Sequence, residues 1–297
     1  MKRIAVIAHA TKTLGGGLPE LRERLVAAGY DDLLWYEVEK SRQAPKRVRR
    51  AVDEGATLLL VWGGDGTVQR SIDALPTHEP PPLAILPAGT ANLFANNLGV
   101  PIDLEGALDV ALHGADRRLD VGRINGERFG VMAGAGFDAR MIAETDKHMK
   151  ERVGRVAYAW TGLRATRAGR QQMTVRVDGE RWFSGKASCV LVGNLGTITG
   201  GISAFDDARP DDGRLEVGVV TAAGPWQWAR VLTRMAVGRS DKSALVSMTN
   251  GRRVDVQLKR KTPYELDGGD RPPTRRLKIR VQPLAITVRV PLPTVQQ

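Results

Sequence analysis

The stretch "TLLLVWGGDGTVQRSI", Thr57 to Ile72, constrains the fold most: an apolar run closes on glycines and turns at once into a helical pattern. Apolar residues without alternation mark a strand buried on both faces, and such strands belong to parallel sheets covered by helices. The same order recurs nearby. "RIAVIAH", "LLWYEVE" and "LAILP" are further strand runs, with helical patterns near Leu18 to Ala28, Ala44 to Glu54, after Thr67 and over Asn92 to Leu98. "EPPPLAILP" breaks the chain before its strand, because proline lacks an amide donor and disfavours helix in the residue before it. An α/β N-terminal lobe follows, a parallel sheet with flanking helices.

From about Arg118 the character changes. "RLDVGRINGERFGVMA", "QMTVRVDGERWFSGKASCVLVGN" and "RLEVGVVT" are rich in β-formers and punctuated by Asn-Gly and Asp-Gly, which are hairpin signals. The second lobe is therefore expected to be mainly antiparallel β, interrupted by helical segments near Asp138 to Thr166 and Pro225 to Arg239. The expected division is 1–118 and 119–284. The strand "LAITVRVPLP" has no host fixed by sequence, and 285–297 is a candidate to return to the first lobe.

Size agrees with two lobes, since 297 residues at 42% hydrophobic can bury two moderate cores. No apolar run approaches the roughly 20 residues of a membrane-spanning helix. "MKRIAVIAHA" imitates a signal peptide, but its apolar part is short and reads better as a first strand. The single cysteine, Cys189, excludes an intrachain disulfide and fits a reducing cytoplasm. A net charge of +11 favours anionic partners: nucleotides, nucleic acid or acidic lipid. Basic residues gather in "PKRVRR", "GLRATRAGR", "KRK" and "RRLKIR", without the zinc-ligand, aromatic or basic-helix patterns of specific nucleic-acid binders. The four histidines, His9, His78, His113 and His148, lack metal-ligand spacing.

In "VWGGDGTV", Gly63, Gly64 and Gly66 let backbone amides approach an anion, and the following helix points its positive end there. A Walker loop is excluded, because the GxxxxGK[ST] spacing is missing. An aspartate beside phosphates is repulsive unless a divalent cation lies between, so Asp65 suggests a magnesium-nucleotide site or a proton acceptor. "LPAGTANLFANNLGVP" repeats strand, Gly-Thr turn and helix, with Gly89, Thr90 and Asn92 at a neighbouring strand end. Ligands in open α/β sheets bind beyond the carboxyl ends of strands, so two such turns read as one nucleotide site.

With these motifs, together with "LDVGRINGERFGVMAGAGFDARM", "GRVAYAWTGLR", "GNLGTITGGISAFDDARPDDGRLEV" and "ELDGGD" in order, the chain resembles the diacylglycerol kinase catalytic-domain superfamily, in its bacterial soluble lipid kinase branch. The resemblance implies an ATP- and magnesium-dependent lipid kinase, with diacylglycerol the default acceptor and phosphatidic acid the product. It implies a nucleotide-binding α/β lobe and a β-sandwich carrying the lipid site. Gly63 to Thr67 would hold the ATP phosphates, Asp65 would help organise magnesium, Thr90 would contact nucleotide and Asn92 would lie near it. Asp120 matches an aspartate of the water and metal network near the acceptor, and Asp267 belongs to the acidic C-terminal motif. Asp212, with the main-chain carbonyls of Arg209 and Arg214, matches a structural magnesium site. The implied enzyme is cytoplasmic and peripherally associated with anionic membrane.

Three departures stand out. His9 replaces an Asn after the first strand, and Val38 stands where a phosphate-touching threonine is common. In "YELDGGDRPP", Gly269 occupies the place of the glutamate that is the family's general base. Either Asp270 supplies the carboxylate one residue later, or catalysis is impaired. Three functions are thus weighed: lipid kinase, a nucleotide-binding sensor or scaffold of the same fold, and NAD kinase, whose Asn-Glu pair occurs nowhere in this chain. The tryptophans of "GPWQWARVL" suit either a lipid mouth or helix packing.

Overall fold

A computed structural model describes residues 3–136, 169–198, 203–236 and 243–293. The helix expected near Asp138 to Thr166 lies outside the described residues. The chain divides into two compact units, Met1–Asp120 with Leu284–Gln297, and Val121–Pro283.

In the first unit, β1 (Ile4–His9), β2 (Leu33–Val38), β3 (Leu58–Gly63) and β4 (Leu83–Pro87) form a parallel sheet in the order β4-β3-β1-β2. Every residue of β1, β3 and β4 is buried, which is why these runs are apolar without alternation. Helices α1 (Gly17–Ala27), α2 (Ala44–Asp53), α3 (Asp65–Ala74), α4 (Leu93–Asn97) and α5 (Leu104–His113) connect them. The basic run "PKRVRR" falls on α2, which buries Ala44, Val48 and Ala51 and turns Lys46, Arg49 and Arg50 outward. That run is the wet face of an amphipathic helix. Helix α5, which the hydropathy pattern above leaves unassigned, is capped by Asp103, whose carboxylate accepts from Gly106 N at 2.8 Å.

The first unit is completed from far along the chain. The long strand β14 (Gly269–Val290) pairs in parallel with β4 through Val288 and Leu83, so "LAITVRV" is hosted by the first unit. Leu284, where the chain re-enters, has a left-handed backbone with φ +46°. Both of its peptide groups are held: Asp120 Oδ1 accepts from Leu284 N at 2.7 Å, and Arg118 Nη2 donates to Leu284 O at 2.9 Å.

The second unit is antiparallel. Its strands are the end of β5 (Ala115–Ile124), β6 (Glu127–Phe129), β7 (Met132–Ala135), β8 (Gln171–Val177), β9 (Glu180–Ala187), β10 (Cys189–Gly193), β11 (Leu215–Val220), β12 (Val246–Gly251), β13 (Arg253–Leu266) and the start of β14. The dipeptides Asn125-Gly126, Asp178-Gly179 and Asp267-Gly268 all form two-residue hairpins with positive φ at both positions. Strand β13 pairs with β8 through Val254 to Leu258 and with β7 through Tyr264 to Leu266, with register shifts between Gln257 and Tyr264. The strand thus has different partners on the two sides of its irregularity, and these strands enclose a core that includes Phe129, Val175, Val190, Val217, Val254 and Leu277. Helix α6 (Pro225–Ala236) covers the other face of β10 and β11, packing Trp228, Val231 and Met235 on Cys189, Leu191 and Phe205. Burial pushes the Cys189 thiol up to about 12, so it is an inert packing residue.

Candidate functional site

The carboxyl ends of β3 and β4 lie side by side, Gly63 opposite Pro87. From there the two glycine turns run in direct backbone contact. A Cβ on Gly64 would sit 3.1 Å from Gly89 Cα, and one on Gly89 would collide with Gly64 and lie 2.5 Å from Asn92 Oδ1. Glycine is required at Gly89 because no side chain fits between the turns. Gly64 is the N-cap of α3 in extended conformation and has no side-chain cap; Thr67 N donates to Gly64 O at 2.8 Å, and the exposed Gly66 stands at the positive end of the helix.

Asp65 is the first residue of α3, and its Oδ1 accepts from Phe94 N at 3.3 Å, tying the two turns together. Burial pushes its carboxyl above the usual range, and the amides of Phe94, Leu93, Asp65 and Asn92 partly counter this. Gly66 and Thr90 are exposed, whereas Thr67 is buried with its hydroxyl 3.0 Å from Ser41 Oγ. Asn92 is buried with left-handed backbone; its Oδ1 accepts from Gly89 N at 2.9 Å, and its Nδ2 donates to Pro87 O at 3.0 Å and Gly89 O at 3.1 Å. Its side chain shapes the Gly-Thr turn, and any effect on a ligand passes through Gly89 and Thr90. His9 ends β1 with Nδ1 3.2 Å from Thr11 Oγ1; burial and then the Lys12 charge hold its pKa below the ordinary value.

Asp120 is fully buried and fastens Leu284, as described above. In the second unit, Asp267 occupies the β13–β14 hairpin with φ +43°. Its carboxylate accepts from Gly130 N at 2.8 Å, Val131 N at 2.9 Å and Met132 N at 2.8 Å, a clamp on the segment that enters β7. Gly269 pairs with Leu266 and Asp270 with Glu265. Side chains alternate faces along a strand, so an acid moved one residue on projects from the opposite face. Asp270 is exposed. On the face of Gly269 itself, Arg271 Nη1 lies 3.1 Å from where a Cβ would stand. That guanidinium forks onto Glu127, with Nε to Oε2 at 2.9 Å and Nη2 to Oε2 at 2.7 Å.

Arg209, Asp212 and Arg214 lie before β11. Asp212 Oδ1 accepts from Arg214 N at 2.9 Å, and Arg214 Nε donates to Asn250 Oδ1 at 2.7 Å. Burial raises the pKa of neighbouring Glu216; its Asn250 hydrogen bond opposes this, and the charges of Asp212 and Asp207 add to it. No three His, Cys, Asp or Glu side chains among the described residues converge in metal-binding geometry. A cation here would draw on main-chain carbonyls, as the sequence pattern implies.

Residues 5–124 match the diacylglycerol kinase catalytic domain, and residues 131–290 match the YegS C-terminal NAD kinase beta sandwich-like domain. A "Probable lipid kinase YegS-like" of Yersinia pestis (strain Pestoides F) is 31% identical over 252 residues, covering 82% of this chain and 83% of the relative. The chain belongs to the bacterial diacylglycerol kinase and YegS-like lipid kinase family. A "Diacylglycerol kinase" of Staphylococcus carnosus (strain TM300) is 28% identical over 257 residues, 84% of this chain and 82% of that protein. Among solved structures, a diacylglycerol kinase from Bacillus anthracis str. Sterne superposes with TM-score 0.74 at 21% identity, covering 97% of each chain. An ATP complex of an NAD kinase from Archaeoglobus fulgidus gives 0.52 at 12% identity, over 97% of this chain and 93% of that one. These likenesses show the NAD kinase-like fold, a parallel α/β region followed by a mostly antiparallel one.

As a member of a kinase family the protein is expected to use ATP, and the first unit suits a phosphate chain: bare backbone at Gly64 and Gly89, exposed Gly66 and Thr90, and a carboxylate at the mouth. Sequence reading missed two features of this family member's sites. Ser41 brings a hydroxyl to Thr67, three residues after the valine that lacks one. The Arg271–Glu127 pair joins residues 144 apart, a separation no local pattern announces.

Proposed function

We propose that the protein transfers the γ-phosphoryl group of ATP to a lipid hydroxyl, with diacylglycerol the acceptor and phosphatidic acid the product. The observation that carries this is the Gly64–Gly89 contact, which joins two glycine turns into one cradle with Asp65 at its edge. Gly64, Gly66 and the first turn of α3 bind the phosphates through backbone amides, and Thr90 orients the nucleotide. Asp65 would hold magnesium, which would supply neutralisation of the phosphate charge. The buried position of Asp65 makes its charge costly without that cation and useful with it. Phosphoryl transfer depends mainly on positioning and charge, so it tolerates a weak proton acceptor.

Labelled ATP with magnesium and mixed-micelle diacylglycerol tests this reading: labelled phosphatidic acid supports it, and turnover unaffected by Asp65→Asn sinks it. ATP binding by calorimetry without transfer to any lipid would favour the sensor reading, which the missing carboxylate at Gly269 motivates. Because Asp270 projects from the other face, Asp270→Asn should retain turnover within about threefold, whereas Gly269→Glu should raise it about a hundredfold, at the low end of general-base contributions. Among the described residues a Cβ there would meet the flexible end of Arg271 at 3.1 Å and Leu266 O at 3.3 Å, so the added side chain requires a small shift of the Arg271 guanidinium. Equal turnover of Gly269→Glu and wild type would show that position 269 does not limit the reaction.

The same reading places a second magnesium at Asp212 with the carbonyls of Arg209 and Arg214. Added magnesium should raise the thermal midpoint by a few degrees, about 1 kcal/mol of binding linkage, and Asp212→Ala should remove that increment. A midpoint that chelator leaves unchanged speaks against the site.

A further inference from the structure

Helix α6 carries two tryptophans in opposite surroundings. Trp228 is 2% exposed and packed in the core, whereas Trp226 is 85% exposed, the highest value among the exposed large apolar residues. Positions 226, 230 and 234 follow at helical i+4 spacing and share one face. Trp226, Arg230 and Arg234 line a surface groove with Gln227, Ser243 and Leu245, and none of the described lining residues is acidic. Elsewhere a half-buried indole is covered, Arg22 standing 4.9 Å over the Trp35 ring; among the described residues no cation stacks on Trp226.

We propose that this face of α6 docks the protein onto an anionic lipid bilayer, with Trp226 at headgroup depth and Arg230 and Arg234 against lipid phosphates. An exposed indole is poorly placed in water and well placed at a membrane interface, where its ring is half-solvated. Guanidinium groups match phosphate geometry and attract an anionic leaflet without needing a defined headgroup. At twelve residues the helix is about 18 Å long, suited to lying in the interface plane. No described helix is long and apolar enough to cross a membrane. The proposal rests on the lipid-kinase reading for its choice of surface: a diacylglycerol acceptor stays in the bilayer, so the protein must come to it.

Sedimentation of the full chain with phosphatidylcholine vesicles, with and without about one-third phosphatidylglycerol, tests docking without requiring turnover. Wild type should bind the anionic vesicles and be released by high salt. Trp226→Ala and Arg230→Glu should each weaken partitioning about tenfold with an unchanged thermal midpoint. Asp65→Asn should bind as wild type does, which separates docking from catalysis. Wild-type binding indifferent to phosphatidylglycerol and salt, or variants that bind as wild type, would overturn the proposal. So would loss of a wild-type dimer in light scattering with vesicle binding intact, which would give the groove to a second copy.

Discussion

Asp65→Asn should lower lipid phosphorylation about 10³-fold, roughly 4 kcal/mol of barrier, while leaving the protein folded. The carboxylate stands at the junction of the two glycine turns, and asparagine keeps its shape and its acceptor for Phe94 N while removing the charge proposed to hold magnesium. Steady-state kinetics with saturating lipid measure the loss, and a fall confined to KM for ATP would assign Asp65 to binding alone. Stability gives an independent readout. Burial raises the folded-state pKa of Asp65 above its unfolded value, so its favourable contribution is fully present below the unfolded pKa and is lost as pH rises through the folded one. Without nucleotide and magnesium, Asp65→Asn should therefore melt above wild type at neutral pH, with the gap narrowing toward acid. A gap that widened toward acid would mean that the carboxylate is stabilised by its surroundings.

Asp267→Ala should destabilise the protein by about 3–5 kcal/mol, the cost of leaving buried amides without an acceptor. Three consecutive donors, Gly130, Val131 and Met132, converge on this one carboxylate. Alanine also sits poorly at φ +43°. Asp267→Asn tolerates the backbone and keeps one acceptor oxygen, so it should fall between the two. Denaturant unfolding monitored by circular dichroism checks the order. A loss below about 1 kcal/mol for alanine would show that water replaces the clamp. In this geometry Asp267 acts as architecture, fixing the entry to β7 beside β13.

The parts legible in the sequence are those whose causes are local. Unbroken burial of β1 and β3 leaves an apolar run, and a two-residue hairpin demands positive φ, hence Asn125-Gly126 and Asp267-Gly268. The glycines of "GGDGT" could be placed beside "AGT", but the reason for Gly89 appears only when β4 lies next to β3. Asn92 illustrates the limit. Its residue type suggests a ligand contact, yet its three hydrogen bonds return to the turn that contains it. Position 270 shows another: in sequence it is one step from the missing glutamate, and in a paired strand that step reverses the face. Of the helix α6 tryptophans, Trp228 is packed as helix packing requires and Trp226 is exposed, a difference their spacing alone does not announce.

The left-handed turn at Leu284, gripped by Asp120 and Arg118, also bears on how the protein is made. Because the strand beside β4 follows that turn, the first unit is discontinuous along the chain. A ribosome that has synthesised the first 120 residues has not yet supplied the partner for the β4 edge, an apolar, hydrogen-bond-hungry surface. Synthesis of the entire second unit intervenes. At about 5–20 residues per second the 160-odd intervening residues take on the order of ten to thirty seconds. During that interval the first unit stands with an open edge, and truncation before Val288 makes that vulnerability permanent.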